Sequence, residues 1–166
     1  MLVSTIINYF LEIATRLKEI QHTTENPKYA QVNLSEYMEK LEVNLNTSTP
    51  VLLLNYPHSR IQDKLSDNPH EIVTITFLVI QEIEANNFEE EIQILDLTKT
   101  ICLKILSKIY EDTKNRTFLS GLNRNTIKMS IIRDEPNTNI FGHIVEFEAN
   151  SNLTEQLYFR ENDWLS

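Results

Sequence analysis

The sequence predicts an α+β fold: a mostly antiparallel four-stranded sheet packed by a long helix and an N-terminal helix. Three observations carry this expectation. Apolar residues recur at three- and four-residue spacing in two stretches, 2–20 and 94–109, which is the period of an amphipathic helix. Residues 71–80 form a dense run of β-branched and aromatic side chains, suited to the middle of a sheet. Two runs of alternating apolar residues, 127–132 and 140–148, flank an acidic turn rich in Pro and Asn, as the arms of an antiparallel hairpin do.

In chain order, Leu2, Ile6, Tyr9, Phe10, Ile13, Leu17 and Ile20 fall on one face of a first helix, and Glu12 and Arg16 pair one turn apart on another. Residues 21–31 turn polar and read as a surface loop. Asn33, Leu34, Ser35 and Glu36 resemble a capping box opening a short helix to about Leu45, with Tyr37, Met38 and Leu41 inward. Val51, Leu52, Leu53 and Leu54, bracketed by Pro50 and Pro57, fit a strand buried on both faces better than a helix of that length. A polar connection over 58–69, of irregular structure, leads into the central strand, which is expected to pair with the strand at Val51. Asn87, Phe88, Glu89 and Glu90 repeat the capping pattern, and Glu89, Glu90 and Glu91 put negative charge where a helix N-terminus favours it. That helix is expected to reach about Tyr110. Ile94, Leu95, Thr98, Ile101, Cys102, Ile105 and Ile109 trace its buried stripe, while Lys99, Lys104 and Lys108 face out or support its C-terminal end. After a loop through Gly121 the hairpin completes the sheet. These parts make one domain over 1–149, followed by a C-terminal tail or interface arm over 150–166.

A chain of 166 residues with 41% hydrophobic content can bury a core of its own. The formal charge of -9 argues against a general nucleic-acid binder, because phosphate contacts need clustered Lys and Arg and the 15 basic residues form no long run. A single cysteine, Cys102, excludes an internal disulfide and fits a chain made for a reducing compartment or indifferent to redox state. Glu12, Arg16, Lys18 and Glu19 interrupt the apolar start with no basic segment before it, which argues against a secretory signal. No run approaches the roughly 18 uninterrupted apolar residues of a membrane span, so a soluble protein with no membrane contact is expected.

No catalytic signature is visible. His22, His58, His70 and His143 show no ligand spacing among themselves or with Cys102, so no metal site is expected. Cys102 lies mid-stripe on a helix, the place of a small core-filling side chain rather than of an exposed thiolate. Glu146 and Glu148 share a strand face, as Glu82 and Glu84 do, and alternating acids are the ordinary solvent side of an antiparallel sheet. Two isolated glycines, Gly121 and Gly142, build no phosphate loop, and there is no Gly-x-Ser-x-Gly turn. No enzyme activity and no cofactor are therefore expected. The tail carries Leu153, Leu157, Tyr158, Phe159, Trp164 and Leu165, which serve either as a strap over the chain's own core or as an arm for a neighbour.

The order of parts resembles the small tail-terminator and tail-completion (head-tail joining) proteins of long-tailed bacteriophages and related contractile injection particles. Three places carry the likeness over roughly residues 1–149: Thr49, Pro50 and the strand at Val51; the long strand 72–83 before the helix; and Met129, Ser130, Ile131 and Ile132, leading through the charged turn Arg133, Asp134 and Glu135 into the alternating strand Phe141, Gly142, His143, Ile144, Val145, Glu146, Phe147 and Glu148. The segment 21–46 is longer and more helical than the simplest members need, and nothing past Asn150 has a counterpart. The resemblance implies a virion structural protein: a homo-oligomeric ring, usually six subunits, at the head-proximal end of a tail or neck, ending tube polymerisation and joining tail to head. Its implied partners are copies of itself, the tail tube protein and a head connector or neck protein, with DNA passing through without specific binding. Assembly would take place in the host cytoplasm. The resemblance favours the arm, with Leu157, Tyr158, Phe159, Trp164 and Leu165 as subunit or partner contacts. Another neck or connector ring component, or a cytoplasmic protein-binding module such as an assembly chaperone or small regulator, are the alternative readings.

Overall fold

Two helices lie on one face of a six-stranded mixed sheet in the computed structural model, which describes residues 2–33, 45–62, 69–83, 87–115, 118–119, 121–133 and 139–152. In chain order the elements are α1 (Val3–Arg16), β1 (Tyr29–Val32), β2 (Val51–Asn55), β3 (His58–Gln62), β4 (His70–Glu82), α2 (Phe88–Lys114), β5 (Leu122–Ile132) and β6 (Ile140–Asn152). The strands run β1-β2-β4-β6-β5 across the sheet, with β3 also against β4.

The spine is β4, in which nine consecutive residues from Ile72 to Ile80 are buried. It lies antiparallel to β6 along its whole length, His70 facing Asn152 and Glu82 facing Ile140. Its other edge is shared: β2 pairs with its second half and β3 with its first. Leu54 faces Phe77 and His58 faces Thr74, so the register slips by one residue between the two pairings. β2 and β3 are thus two pieces of one edge joined by a bulge at Tyr56 and Pro57, where Pro57 has no N–H to give a ladder. On the far side, β5 is antiparallel to β6. β4 and β5 therefore run parallel with β6 between them and α2 crossing over, a split β-α-β unit.

Six strands replace the four expected, and the sheet is mixed, because β1 pairs parallel with β2. Both additions were hidden in segments read as polar. β1 closes the stretch taken as a surface loop, and β3 opens the stretch taken as an irregular connection, with all five of its residues exposed. The backbone of β3 completes the ladder of a buried neighbour, a cause that leaves no hydrophobic pattern in the strand itself, whereas β1 buries Tyr29 and Val32 but is too short to show a period. Helix α2 outlasts its expected end at Tyr110 by one turn, β5 begins five residues before Ile127, and β6 runs on to Asn152. The short helix expected from Asn33 falls largely on residues 34–44, outside the described residues.

Within α1, Ile6, Phe10, Ile13 and Ala14 are buried as the periodicity requires, whereas Leu2 is exposed and Ile20 is buried beyond the helix end. The expected Glu12–Arg16 pair forms, at 2.9 Å. Asn87 caps α2 as expected: its Oδ1 accepts the Glu90 N–H at 3.2 Å and its Nδ2 donates to Glu90 Oε2 at 3.0 Å. The buried stripe of α2 holds Ile94, Thr98, Ile101, Cys102, Ile105 and Ile109, with Leu95 only half-buried.

Between helices and sheet lies the main core, built around Phe10, Phe77 and Phe147, all fully buried. Each such ring stabilises the fold by about 1.5–3 kcal/mol over its exposed state. A second cluster, Val51, Leu53, Leu78 and Ile80 with Leu45 and Ile144 against it, occupies the opposite face of the sheet. The Val51 strand is accordingly buried on both faces, as its unbroken apolar run requires. No helix among the described residues is long and apolar enough to cross a membrane.

Candidate functional site

Among the described residues the sheet ends at β5. No described strand pairs with the outer edge of β5, and the backbone groups of such an edge invite pairing with another strand. Beside it runs one flank of α2, fixed to β5 at both ends. At the start of the helix, Arg133 donates through Nε (3.0 Å) and Nη2 (2.6 Å) to Glu91 Oε1. Near its end, the Arg124 guanidinium lies 4.8 Å from the centroid of the Tyr110 ring. Between these clamps, the flank of α2 carries Phe88, Ile92 and Leu103, exposed by 76%, 62% and 52%, and β5 adds Ile131, exposed by 58%. Ile131 faces His143 across the ladder, and His143 meets Thr98 of α2, so Ile131 stands on the helix side of the sheet next to this flank.

On the other flank of α2 a groove of about 500 Å³ opens toward α1. Ile13, Leu17 and Ile105 line it, and the ring of Tyr9 stacks on Phe118 at one end, with centroids 3.5 Å apart and planes 10° from parallel. The Tyr9 hydroxyl donates to Asp112 Oδ2 at 2.7 Å, and Lys108 Nζ donates to both oxygens of that carboxylate at 2.6 Å. Burial, then the hydrogen bond to Asp112, push the Tyr9 phenol well above its usual range. Lys104 pairs with Glu19 across the helices and holds that carboxyl below its usual value. The two helices lie antiparallel here, since Glu19 meets Lys104 while Tyr9 meets Asp112.

The residues singled out in the sequence have varied fates. Arg133 is the clamp to Glu91, while Asp134 and Glu135 lie outside the described residues, as do Leu157, Tyr158, Phe159, Trp164 and Leu165. Glu146 pairs with Lys128 of the neighbouring β5 at 3.6 Å, and Glu148 with Arg60 of β3, on the far side of β4, at 3.0 Å. Cys102 is fully buried, and burial alone pushes its thiol up to about 12. The histidines are dispersed: His22 accepts the Lys28 N–H at 3.0 Å in the loop before β1, His58 and His70 open β3 and β4, and His143 is buried under α2. Among the described residues, no three His, Cys, Asp or Glu side chains gather so as to hold a metal ion.

Sequence reasoning missed the exposed flank of α2, although a signal was there. Phe88, Ile92, Leu95 and Leu103 repeat at helical spacing on a line beside the buried stripe, so this helix is apolar on two adjoining faces. The groove left no such signal, because Tyr9 and Phe118 are more than a hundred residues apart in the chain. No protein-family model matches the chain, and no curated protein matches it.

Proposed function

We propose that the chain is a virion structural protein whose copies close into a ring, six-membered by resemblance, at the head-proximal end of a phage tail or neck, where it ends tube polymerisation and joins tail to head. One observation carries the reading: a β5 edge that no described strand pairs with, bordered by the exposed apolar side chains of Phe88, Ile92 and Ile131. Clustered exposed apolar side chains mark interaction surfaces, and an open strand supplies directional hydrogen bonds. Such a surface differs from the short β1 edge at the other side of the sheet, so contacts between copies would be heterologous, the kind that generates rings when the rotation closes. A rigid two-layer wedge suits that geometry. The chain's net charge of -9 suits a lumen through which DNA slides, since like charge repels phosphate.

The test is the mass in solution over a range of concentrations, with images of negatively stained particles. A closed oligomer that seats on tail tubes is the expected result. Replacing Ile92 and Ile131 with Glu together alters two exposed side chains and is expected to give folded monomers. A chain that stays monomeric at every concentration and decorates no tube would remove the ring reading and leave the protein-binding module in its place.

A further inference from the structure

We propose that the groove between α1 and α2 is a binding site for a small, uncharged molecule built on a planar apolar ring system. The inference goes beyond the ring reading and does not depend on it. Lining, charge and hydrogen bonding each narrow the class of ligand.

The lining is apolar, with an aromatic end wall. Ile13 and Leu17 stand on the α1 side and Ile105 on the α2 side, and the stacked rings of Tyr9 and Phe118 close one end. Aromatic walls favour aromatic neighbours, in offset or edge-on contact, over flexible chains of the same area. The volume of about 500 Å³ lies in the range of sites that enclose small molecules.

Charge then selects a neutral ligand. Each charged side chain bordering the groove is neutralised beside it: Arg16 by Glu12 at 2.9 Å, Lys104 by Glu19, and Lys108 by Asp112 at 2.6 Å. An anion would have to take a cation from its carboxylate, and a cation would have to take a carboxylate from its base. Either would also lose hydration against Ile13, Leu17 and Ile105, which return nothing for it. An uncharged molecule leaves all three pairs intact.

Hydrogen bonding removes the remaining polar candidates. The Tyr9 hydroxyl, the uncharged polar group of the lining, is spent on Asp112 Oδ2 at 2.7 Å, and burial followed by that bond keeps it a protonated phenol. Helix backbone groups run along the helix axes rather than into the groove. An extended peptide laid here would bury N–H and C=O groups with nothing to receive them. A ring system without such groups displaces water that this lining holds poorly, which favours binding. Touching both helices, it ties α1 to α2 and stabilises the folded chain.

Two fluorescent probes test this on the full chain near neutral pH: N-phenyl-1-naphthylamine, and 8-anilinonaphthalene-1-sulfonate, which adds a sulfonate to the same ring skeleton. The neutral probe is expected to bind one per chain, at least about tenfold more tightly than the sulfonate, and to raise the melting temperature. In the parental chain its binding is expected to shift the methyl resonances of Ile13 and Ile105, a readout that needs no variant to fold. Leu17→Trp, at a half-buried position, fills the groove and is expected to weaken the neutral probe by about tenfold or more. Equal affinity for the two probes would overturn the proposal, because it would show adhesion without regard to charge. Methyl shifts confined to the Ile92 and Ile131 strip, undiminished binding in a folded Leu17→Trp chain, or no binding of the neutral probe would overturn it as well.

Discussion

Gly142 stands against the backbone of β4: a Cβ built there would lie 2.1 Å from Val79 O and 2.8 Å from Ile80 Cα. Gly121 is as confined, with Asn150 O at 2.1 Å from the position of its Cβ. In a chain with only these two glycines, both mark contacts where backbone meets backbone too closely for any side chain. Gly142→Ala must push β6 off β4, and a loss of about 2 kcal/mol or more is expected in urea unfolding. His143 shows a different constraint. The Thr98 hydroxyl donates to Ile94 O at 2.8 Å, so at 3.0 Å its oxygen accepts from His143 Nδ1–H and leaves Nε2 to titrate. Burial first, then the charge of Lys99, hold the ring's pKa below its ordinary 6.5, with Asp96 acting the other way. The folded state therefore resists a proton that the unfolded chain takes. Stability is whole above pH 6.5 and declines as the pH falls from there to the lowered folded value. Between about pH 7.5 and pH 5 the melting temperature of the parent is expected to fall further than that of His143→Gln, and equal falls would refute the assignment. Thr126 is the third residue with a particular task. Its hydroxyl accepts the Glu148 N–H at 2.9 Å and donates to Asn123 O at 2.7 Å, filling the break in register between Asn123 and Lys128.

Helix α2 is held to the hairpin by a link that a few side chains decide. Glu91 is 8% exposed and takes both contacts from Arg133 on one oxygen. Removing the arginine leaves a buried carboxylate short of donors, so Arg133→Ala is expected to cost about 1–2 kcal/mol in urea unfolding. Replacing Glu91 with Leu as well is expected to recover much of that loss, since the orphaned charge is then gone. Both long helical and strand elements could be read in the sequence because each has a strong period of its own. The stripe from Ile94 to Ile109 and the run from Ile72 to Ile80 need no partner to be recognised. β3 could not be read because its cause lies in another element, and β1 because four residues with Tyr29 and Val32 buried at their ends are too few to show a period. β4 has thirteen residues and β2 only five, so half of one edge of β4 would stay unpaired without β3. The interface strip was half legible. Phe88, Ile92 and Leu103 have helical spacing, but their exposure depends on which flank of α2 the sheet leaves open.

At the scale of the whole molecule, the helices cover one face of the sheet, and the two sheet edges differ, β1 short and parallel, β5 long and antiparallel. If copies associate through β5, the Glu substitutions at Ile92 and Ile131 should dissolve rings while leaving the circular dichroism spectrum and melting temperature nearly unchanged. Loss of folding in that variant would mean the strip belongs to the core instead. The sequence by itself determined the α+β class, both helices, the pairing of the Val51 strand with β4, the closing hairpin, the Asn87 cap and the burial of Cys102. All of these follow from local periodicity, capping chemistry and apolar runs. Only the tertiary structure decided the number of strands, the parallel pairing of β1, the bulge at Pro57, the Arg133–Glu91 link, the open flank of α2 and the groove beside Tyr9. Each of these depends on backbone groups or side chains far apart in the chain meeting across the sheet, and a one-dimensional pattern carries no record of such meetings.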